Sequence, residues 1–193
     1  MRRPGCDDGG VLRQVAFLRG INVGGHRVGK DELAGVFFAA GATDATAFLA
    51  SGNVVFRHPD PPGPDLSRRL ERELVETLGY EVPTLLRSGP EVVALSRAMP
   101  FSAADLDASR GKPQVAFLRA APVGAAVDSV LALAGDDDLL SFEGAHLFWL
   151  PSGGVSESGL PLREIERILG PMTVRTVNTL ARLVARFLAD EEF

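Results

Sequence analysis

The sequence predicts an α+β protein of two ferredoxin-like (split βαβ) domains from an internal duplication, with antiparallel sheets that carry their helices on one face. Two observations predict this fold. The pentapeptide VAFLR occurs at residues 15–19 and again at 115–119, and glutamine precedes both copies. After each copy, apolar patterns of helical and strand type follow in the order β-α-β-β-α-β, with one further helix at the end.

The first half begins with the VAFLR strand and continues with a helical pattern that ends at Gly41. Two apolar runs follow on either side of Ser51-Gly52-Asn53, and a Gly-Asn pair between strands is typical of a tight hairpin. A leucine-rich helix that ends at Gly79 comes next. The run VPTLLR is then expected to form the fourth strand, before a short helix.

The second half repeats this order. A helical stretch ends at Gly135, and the runs LLSF and HLFWL flank a turn at Glu143-Gly144. A helix then opens at Pro161, before the strand MTVRT and a last amphipathic helix. The organisation predicted from both halves is a flexible N-terminal tail (1–13), a first domain (14–98), a linker (99–113) and a second domain (114–193).

The composition is that of an ordinary globular protein, with 46% hydrophobic and 23% charged residues. The net charge of −5 and the aromatic content of 7% argue against nucleic acid as a partner. No apolar run approaches the ~18 residues of a membrane helix, and no signal peptide is expected after MRRPGCDDGG. The single cysteine, Cys6, fits a reducing compartment. We therefore expect a cytoplasmic protein, whose oligomeric state the sequence leaves open.

Residues 24–31, GGHRVGKD, match the phosphate-binding loop G-x-x-x-x-G-K-[ST] until Asp31 takes the place of the hydroxyl residue. That hydroxyl binds Mg²⁺ in nucleotide hydrolases of this type, and the expected antiparallel sheet differs from their parallel one. We interpret the segment as a glycine-rich turn and not as a nucleotide site.

A candidate site lies at one edge of the first predicted sheet. The second strand of a ferredoxin-like sheet is parallel to the first, so the loop after the first strand lies beside the hairpin. Arginine can bind an oxyanion through two donors, and glycine lets a backbone approach a ligand closely. We expect a small anionic ligand to contact these two loops through Arg19, Gly20, Asn22, Gly24, Gly25, His26, Ser51, Gly52 and Asn53. The alternative is that the glycines only permit tight turns and that Arg19 pairs with a carboxylate.

The second half is not expected to carry the same site. Its corresponding positions are Arg119, Ala120, Ala121 and Glu143-Gly144, so the asparagine, histidine and double glycine are missing. The three histidines of the chain are far apart in sequence and have no metal-ligand spacing. We therefore expect no metal and no cofactor.

The motifs LRGINVGG and SGNVVF, with Pro100-Phe101 before the linker, are similar to those of a bacterial family known as domain of unknown function 1697. The resemblance extends from about Gln14 over nearly the whole chain. It implies two α+β domains of ferredoxin-like character, and it implies no established activity.

A third motif of that family is similar to T-x-R-N-W-N-T. The matching segment here is TVRTVNT, in which Thr176 and Val177 replace an asparagine and a tryptophan. Arg175 and Asn178 match the motif, so the resemblance suggests a second site there. The alternative interpretation is a helix start, with Asn178 or Thr176 as the cap.

Binding of a small anionic or phosphate-bearing ligand is the function that these residues favour. A second hypothesis is a phosphoryl or acyl-phosphate hydrolase, because Arg19 with Asn22 or Asn53 resembles the arginine–asparagine pair of acylphosphatases. A third is a nucleic-acid or protein interaction module, for which the candidate aromatic residues are Phe17, Phe56, Phe117, Phe148 and Trp149. Whether the protein is an enzyme stays open at this point.

Overall fold

A computed structural model of the chain describes residues 11–22, 25–135 and 138–189. The elements of the first half are β1 (Leu12–Leu18), α1 (Lys30–Ala39), β2 (Asp44–Phe48), β3 (Asn53–His58), α2 (Pro64–Leu78), β4 (Thr84–Ser88) and α3 (Gly89–Arg97). They are followed by α4 (Ala103–Ala108), β5 (Gln114–Phe117), α5 (Ala125–Leu131), β6 (Asp138–Glu143), β7 (His146–Pro151), α6 (Leu162–Leu169), β8 (Thr173–Thr176) and α7 (Val177–Phe187). The order of elements predicted for each half is confirmed.

Helix α4 lies in the segment predicted to be a linker and was not expected. Ser102 caps it, because the Asp105 N–H donates to the Ser102 hydroxyl at 3.1 Å. The Asp105 carboxylate in turn accepts from the Ser102 N–H at 2.9 Å. A reciprocal cap of this kind satisfies two backbone donors, which supports even a six-residue helix.

The strands form two four-stranded sheets with the orders β2-β3-β1-β4 and β6-β7-β5-β8, and every neighbouring pair is antiparallel. The registers correspond as well. Val15 lies opposite Arg87, and Val115 lies opposite Arg175. The protein is therefore α+β, and its two halves have the same sheet order.

The prediction that the helices lie on one face of each sheet is wrong for the last helix of each half. In β1, Ala16 and Leu18 pack in a core with α1 and α2, whereas Val15 and Phe17 point to the other face and pack with α3. In the second half, α5 and α6 cover one face and α7 covers the other. The physical reason is that β1 and β5 are apolar on both faces, so both must be buried.

The inner faces of the two sheets meet in one shared core. The rings of Phe17 and Phe117 stack there, with centroids 3.8 Å apart and an interplanar angle of 14°. Helices α3 and α7 pack against each other beside them. The halves are thus joined through apolar surface and not only through the segment that connects them. Within the described residues, no helix has the length and apolar character needed to cross a membrane.

Candidate functional site

The loop after β1 and the β2–β3 turn lie side by side at one edge of the first sheet. The Leu18 N–H donates to the Gly52 carbonyl at 2.8 Å, and the Asn22 side chain donates to the Ala50 carbonyl at 2.7 Å. Gly52 has a φ of 76°, and a Cβ atom at this position would lie 2.5 Å from Ile21 Cγ2. Only glycine fits here, and the two predicted loops are brought together.

Asn22 stabilises its own loop through two hydrogen bonds. Its amide nitrogen donates to the Ala50 carbonyl, and its Oδ1 accepts from the Val28 N–H at 2.9 Å. Gly20 and Gly25 have φ angles of 72° and 91°, a backbone conformation that favours glycine. These residues therefore determine the shape of the loop, while Gly24 lies outside the described residues.

Arg19 forms an ion pair with Glu166 on α6 of the second half. Its Nη2 donates to Glu166 Oε2 at 2.7 Å, and its Nε lies 2.6 Å from Oε1. The Arg19 side chain is 43% exposed, so water screens the pair, and its contribution to stability is about 1 kcal/mol or less. The Nε and Nη2 groups of Arg19, a pair of donors that could bind an oxyanion, are thus occupied by this carboxylate.

Asn53 lies inside the protein, with no exposed surface. Its amide nitrogen donates to the Phe48 carbonyl at 2.9 Å and to the Ser51 hydroxyl at 3.0 Å. Its Oδ1 accepts from Nε of Arg175 at 2.7 Å. Both ends of the amide are thus engaged within the fold, and Asn53 supports the turn.

Arg175, predicted in a separate second site, reaches this same turn from β8. Its Nη2 donates to the carbonyls of Leu18 at 2.9 Å, Gly52 at 3.2 Å and Ser51. All of its hydrogen-bond partners among the described residues are neutral. Burial lowers the pKa of Arg175 to about 10. This side chain joins the second half to the backbone of the first.

Asn178 takes no part in that network. It is exposed in the first turn of α7, and the cap of this helix is Thr176, whose hydroxyl accepts from the Thr179 N–H at 3.1 Å. The helix-start interpretation of the third motif therefore describes this segment, with Thr176 as the capping residue.

A matching network, not predicted from the sequence, surrounds Arg87 of β4, whose side chain reaches into the second half. Nε of Arg87 donates to Nε2 of His146 at 2.7 Å, and Nη2 donates to the carbonyls of Leu118 at 2.8 Å and Ala145 at 2.9 Å. Because Nε2 accepts a hydrogen bond, the ring proton is on Nδ1, which lies 3.1 Å from the Glu143 carbonyl. Burial, and then the Arg87 charge, lower the pKa of His146 to about 4.

The sequence signal for Arg87 and Arg175 was an arginine at the same place in the fourth strand of each half. In isolation, an arginine in an apolar strand indicates no partner. Their roles follow only from the packing of the two sheets, which puts each guanidinium next to the carbonyls of the opposite half.

A surface recess of about 500 Å³ lies beside the two loops, and we call it the edge recess. It is lined by Asn22, Gly25, His26, Arg27, Val28 and Ala50. Arg27 is exposed and makes no hydrogen bond or ion pair with any residue in the described part of the chain. Three predicted residues, Asn22, Gly25 and His26, thus line one recess, but its cation is Arg27 and not Arg19.

The ring of His26 is held against Tyr80, with centroids 4.3 Å apart. The Tyr80 hydroxyl donates to the Ile21 carbonyl at 2.8 Å, which ties the tyrosine to the same loop. His26 is exposed. The imidazole is therefore positioned at the recess by an aromatic neighbour.

The aromatic residues considered for base stacking are all buried. Phe17, Phe56, Phe117, Phe148 and Trp149 are each at most 2% exposed, so none of these rings offers a face to a nucleotide. Across residues 11–22, 25–135 and 138–189, no group of three or more His, Cys, Asp or Glu side chains could hold a metal ion.

Comparisons with known proteins agree with this architecture. A family profile described as "Protein of unknown function (DUF1697)" matches residues 12–148. Among solved structures, the conserved bacterial protein SP0830 from Streptococcus pneumoniae is similar, with a TM-score of 0.69 and 22% sequence identity. The alignment covers 91% of this chain and 98% of that one. At this identity the likeness concerns the fold alone, and no curated protein matches the chain.

Proposed function

The chain belongs to the DUF1697 family of proteins of unknown function, and we propose that it binds a small anionic or phosphate-bearing ligand in the edge recess. The observation that carries this proposal is Arg27, an exposed guanidinium that lines the recess without a partner in the described part of the chain. Guanidinium groups bind phosphates and carboxylates through paired donors.

The surroundings of Arg27 support an anion. His26 lines the same recess as Arg27, so a ligand bound there can also reach the imidazole. Gly25 has nothing within 4 Å of its Cβ position, so a ligand can approach the backbone there. The recess volume lies within the ordinary range for small-molecule sites.

Binding is better supported than hydrolysis. An acylphosphatase-like mechanism needs a free arginine and an asparagine that orients water. The Nε and Nη2 groups of Arg19 are bound to the Glu166 carboxylate, and the amide of Asn53 is buried. Asn22 is held at both ends of its amide by backbone groups. Arg27 and His26 supply charge and hydrogen bonds, which suffice for recognition.

The proposal is tested by isothermal titration of the full chain with inorganic phosphate and acetyl phosphate. Arg27→Gln removes the charge, and we expect its dissociation constant to rise about tenfold, the effect of one charged hydrogen bond. Arg97→Gln, on exposed α3 surface, is the matched control and should bind like the wild type. Equal binding by Arg27→Gln and wild type, or no binding by the wild type, would overturn the proposal.

We also infer that the halves are two ferredoxin-like units related by duplication, with 14–98 and 114–193 as the units and 99–113 as the connection. Corresponding ion pairs support this inference. Arg19 pairs with Glu166 of the second half, and Arg119 pairs with Glu71 of the first at 2.5 Å. The equal sheet orders and registers support it too.

A cytoplasmic location remains part of the proposal. It rests on the single cysteine in the sequence, which fits a reducing compartment. Fractionation of cells that express the tagged chain would test it.

A further inference from the structure

A second recess, distinct from the edge recess, lies between helix α2 and the beginning of the second half. We call it the α2 recess; its volume is about 510 Å³. The residues of the described chain that line it include three arginines, Arg68, Arg87 and Arg119, and no carboxylate. No residue of the predicted site lies here. Each arginine pairs with a carboxylate that lies outside this wall, so the guanidinium donors that face the recess, and not an excess of positive charge, favour an anion with several acceptor oxygens.

The arginines keep donors available for such an anion. Arg119 donates through Nη2 to Glu71 at 2.5 Å, and Arg68 pairs with Asp65 one turn earlier on α2. Each of these guanidinium groups has five N–H donors, so one carboxylate contact leaves others free. Arg87 is buried and pairs with Glu91 at 3.1 Å, so the donors for an anion come from Arg68 and Arg119.

Ser67 is an independent indication of a ligand. The residue is only 6% exposed and lines the α2 recess, yet its hydroxyl makes no hydrogen bond to any residue that the structure describes. The hydroxyl is not one of the fully enclosed side-chain atoms without a partner, so it is accessible from the recess and can bind a ligand there. Ser67 also lies in the first turn of the 15-residue helix α2, whose N-terminal N–H groups attract anions.

The α2 recess continues into a more apolar groove of about 460 Å³. Arg68 and Arg119 line both, and the groove adds the apolar residues Val75, Val82 and Pro83. Glu76 and Glu81 also line this groove. Their charges disfavour a second anionic group there, so the part of a ligand that extends along the groove should be uncharged or cationic.

We propose that the α2 recess binds a small organic phosphate monoester. Its phosphoryl group lies between Arg68, Arg119 and the Ser67 hydroxyl, and its organic part extends along α2 against Val75 and Val82. A phosphate monoester carries close to two negative charges at neutral pH and several acceptor oxygens, which matches the arginines, the hydroxyl and the helix N-terminus.

The second half provides a natural control. Glu166 pairs with Arg19 as Glu71 pairs with Arg119. Four residues before each glutamate, Ser67 in the first half corresponds to Leu162 in the second, while the next residue is arginine in both. Helix α6 therefore carries the corresponding arginine, Arg163, but has no hydroxyl group next to it in the sequence. Arg163→Gln therefore removes the same charge from the corresponding helix without touching the α2 recess.

The experiment is titration calorimetry of the full chain with phenyl phosphate and with inorganic phosphate as probes. We expect phenyl phosphate to bind the wild type more tightly than inorganic phosphate, because only the former has an apolar part. Arg68→Gln should raise the dissociation constant for phenyl phosphate about tenfold, and Ser67→Ala about threefold. Arg163→Gln should leave it unchanged.

Several outcomes would overturn the inference. One is a wild type that does not bind phenyl phosphate at millimolar concentration, and another is unchanged binding in Arg68→Gln and Ser67→Ala. An equal loss in Arg163→Gln would indicate a general effect of charge. A loss confined to Arg27→Gln would place phosphate binding in the edge recess alone, which supports the proposed function and rejects this second site. Circular dichroism of each variant verifies that the substitutions leave the fold intact.

Discussion

Arg87 and Arg175 hold corresponding places in the two sheets, and each reaches into the opposite half. Arg175 donates to the Leu18 carbonyl, and Arg87 donates to the Leu118 carbonyl. The side-chain acceptor differs, since Asn53 serves Arg175 and His146 serves Arg87. Arginine keeps its charge at any ordinary pH, so its partner must remain a hydrogen-bond acceptor. A histidine in this place is therefore neutral.

The neutral state of His146 predicts a pH dependence of stability. Its pKa is about 4 in the folded protein and near 6.5 in the unfolded chain, so between these values only the unfolded chain binds the proton. Above pH 6.5 the titration of His146 does not lower the free energy of unfolding. As the pH falls towards 4, protonation of the unfolded chain lowers this free energy by up to roughly 3 kcal/mol. Urea denaturation at pH 7, 5.5 and 4 measures it.

His146→Asn is the matched variant, because asparagine occupies the corresponding position in the first half and cannot titrate. As the pH falls, the free energy of unfolding should decrease more in the wild type than in the variant. Titration of Glu91, whose carboxylate lies 3.4 Å from His146, is present in both proteins and cancels. An identical pH slope in the two proteins would contradict the assignment.

The β2–β3 turn is the element that brings the two loops of the candidate site together. Leu49 and Gly52 both have positive φ angles, 61° and 76°, so the turn is tightly bent at both ends. Its backbone carbonyls accept from the Leu18 N–H and from the Arg175 guanidinium. The turn is thus held by both halves of the protein.

Replacement of Gly52 by alanine should lower the free energy of unfolding by about 2–4 kcal/mol. The change adds backbone strain, and it places a Cβ atom 2.5 Å from Ile21 Cγ2 and 3.1 Å from Leu18 Cβ. Gly144→Ala in the corresponding β6–β7 turn is the control, because its φ is 54° but nothing lies within 4 Å. Urea denaturation should show the smaller loss in Gly144→Ala; equal losses would mean that crowding at Ile21 has no effect.

At the scale of the whole molecule, the inner core belongs to neither half alone. It includes Val15, Phe17 and Val92 from the first half and Phe117 and Leu180 from the second. Separation of the halves would expose this apolar surface and would also leave the guanidinium of Arg175 without its acceptors in the first half. The two halves are therefore expected to depend on each other for stability.

We predict that residues 1–98 expressed alone will not unfold cooperatively and will bind a hydrophobic dye, since Phe17 and Val92 lose their cover. Co-expression with residues 99–193 should restore a single cooperative transition. Near-ultraviolet circular dichroism and urea denaturation of each fragment and of the pair provide the measurement. A cooperative transition in the isolated 1–98 fragment would contradict the prediction.

Local patterns made the elements predictable. The VAFLR repeat, the leucines of α2 and the glycines that end helices predicted their order, and α4 is the one element within residues 11–22, 25–135 and 138–189 that was missed. The position of the candidate loops also followed from strand order. Pairing of Arg19 with a carboxylate was named only as an alternative and Glu166 was not identified, because an ion pair across 147 residues leaves no local pattern. Arg27 was overlooked because exposure and lack of a partner are not visible in a sequence.

The sequence by itself determined the two α+β halves, their strands and helices, and the loops that meet at one edge, because these depend on periodicity and on turn residues close in the chain. The tertiary structure alone decided that both faces of each sheet are covered, and that Arg87 and Arg175 join the halves. It also decided which arginines line a recess. The physical reason is that burial, ion pairing and accessible cavities arise between residues far apart in the chain, and packing of the two sheets determines which of them meet.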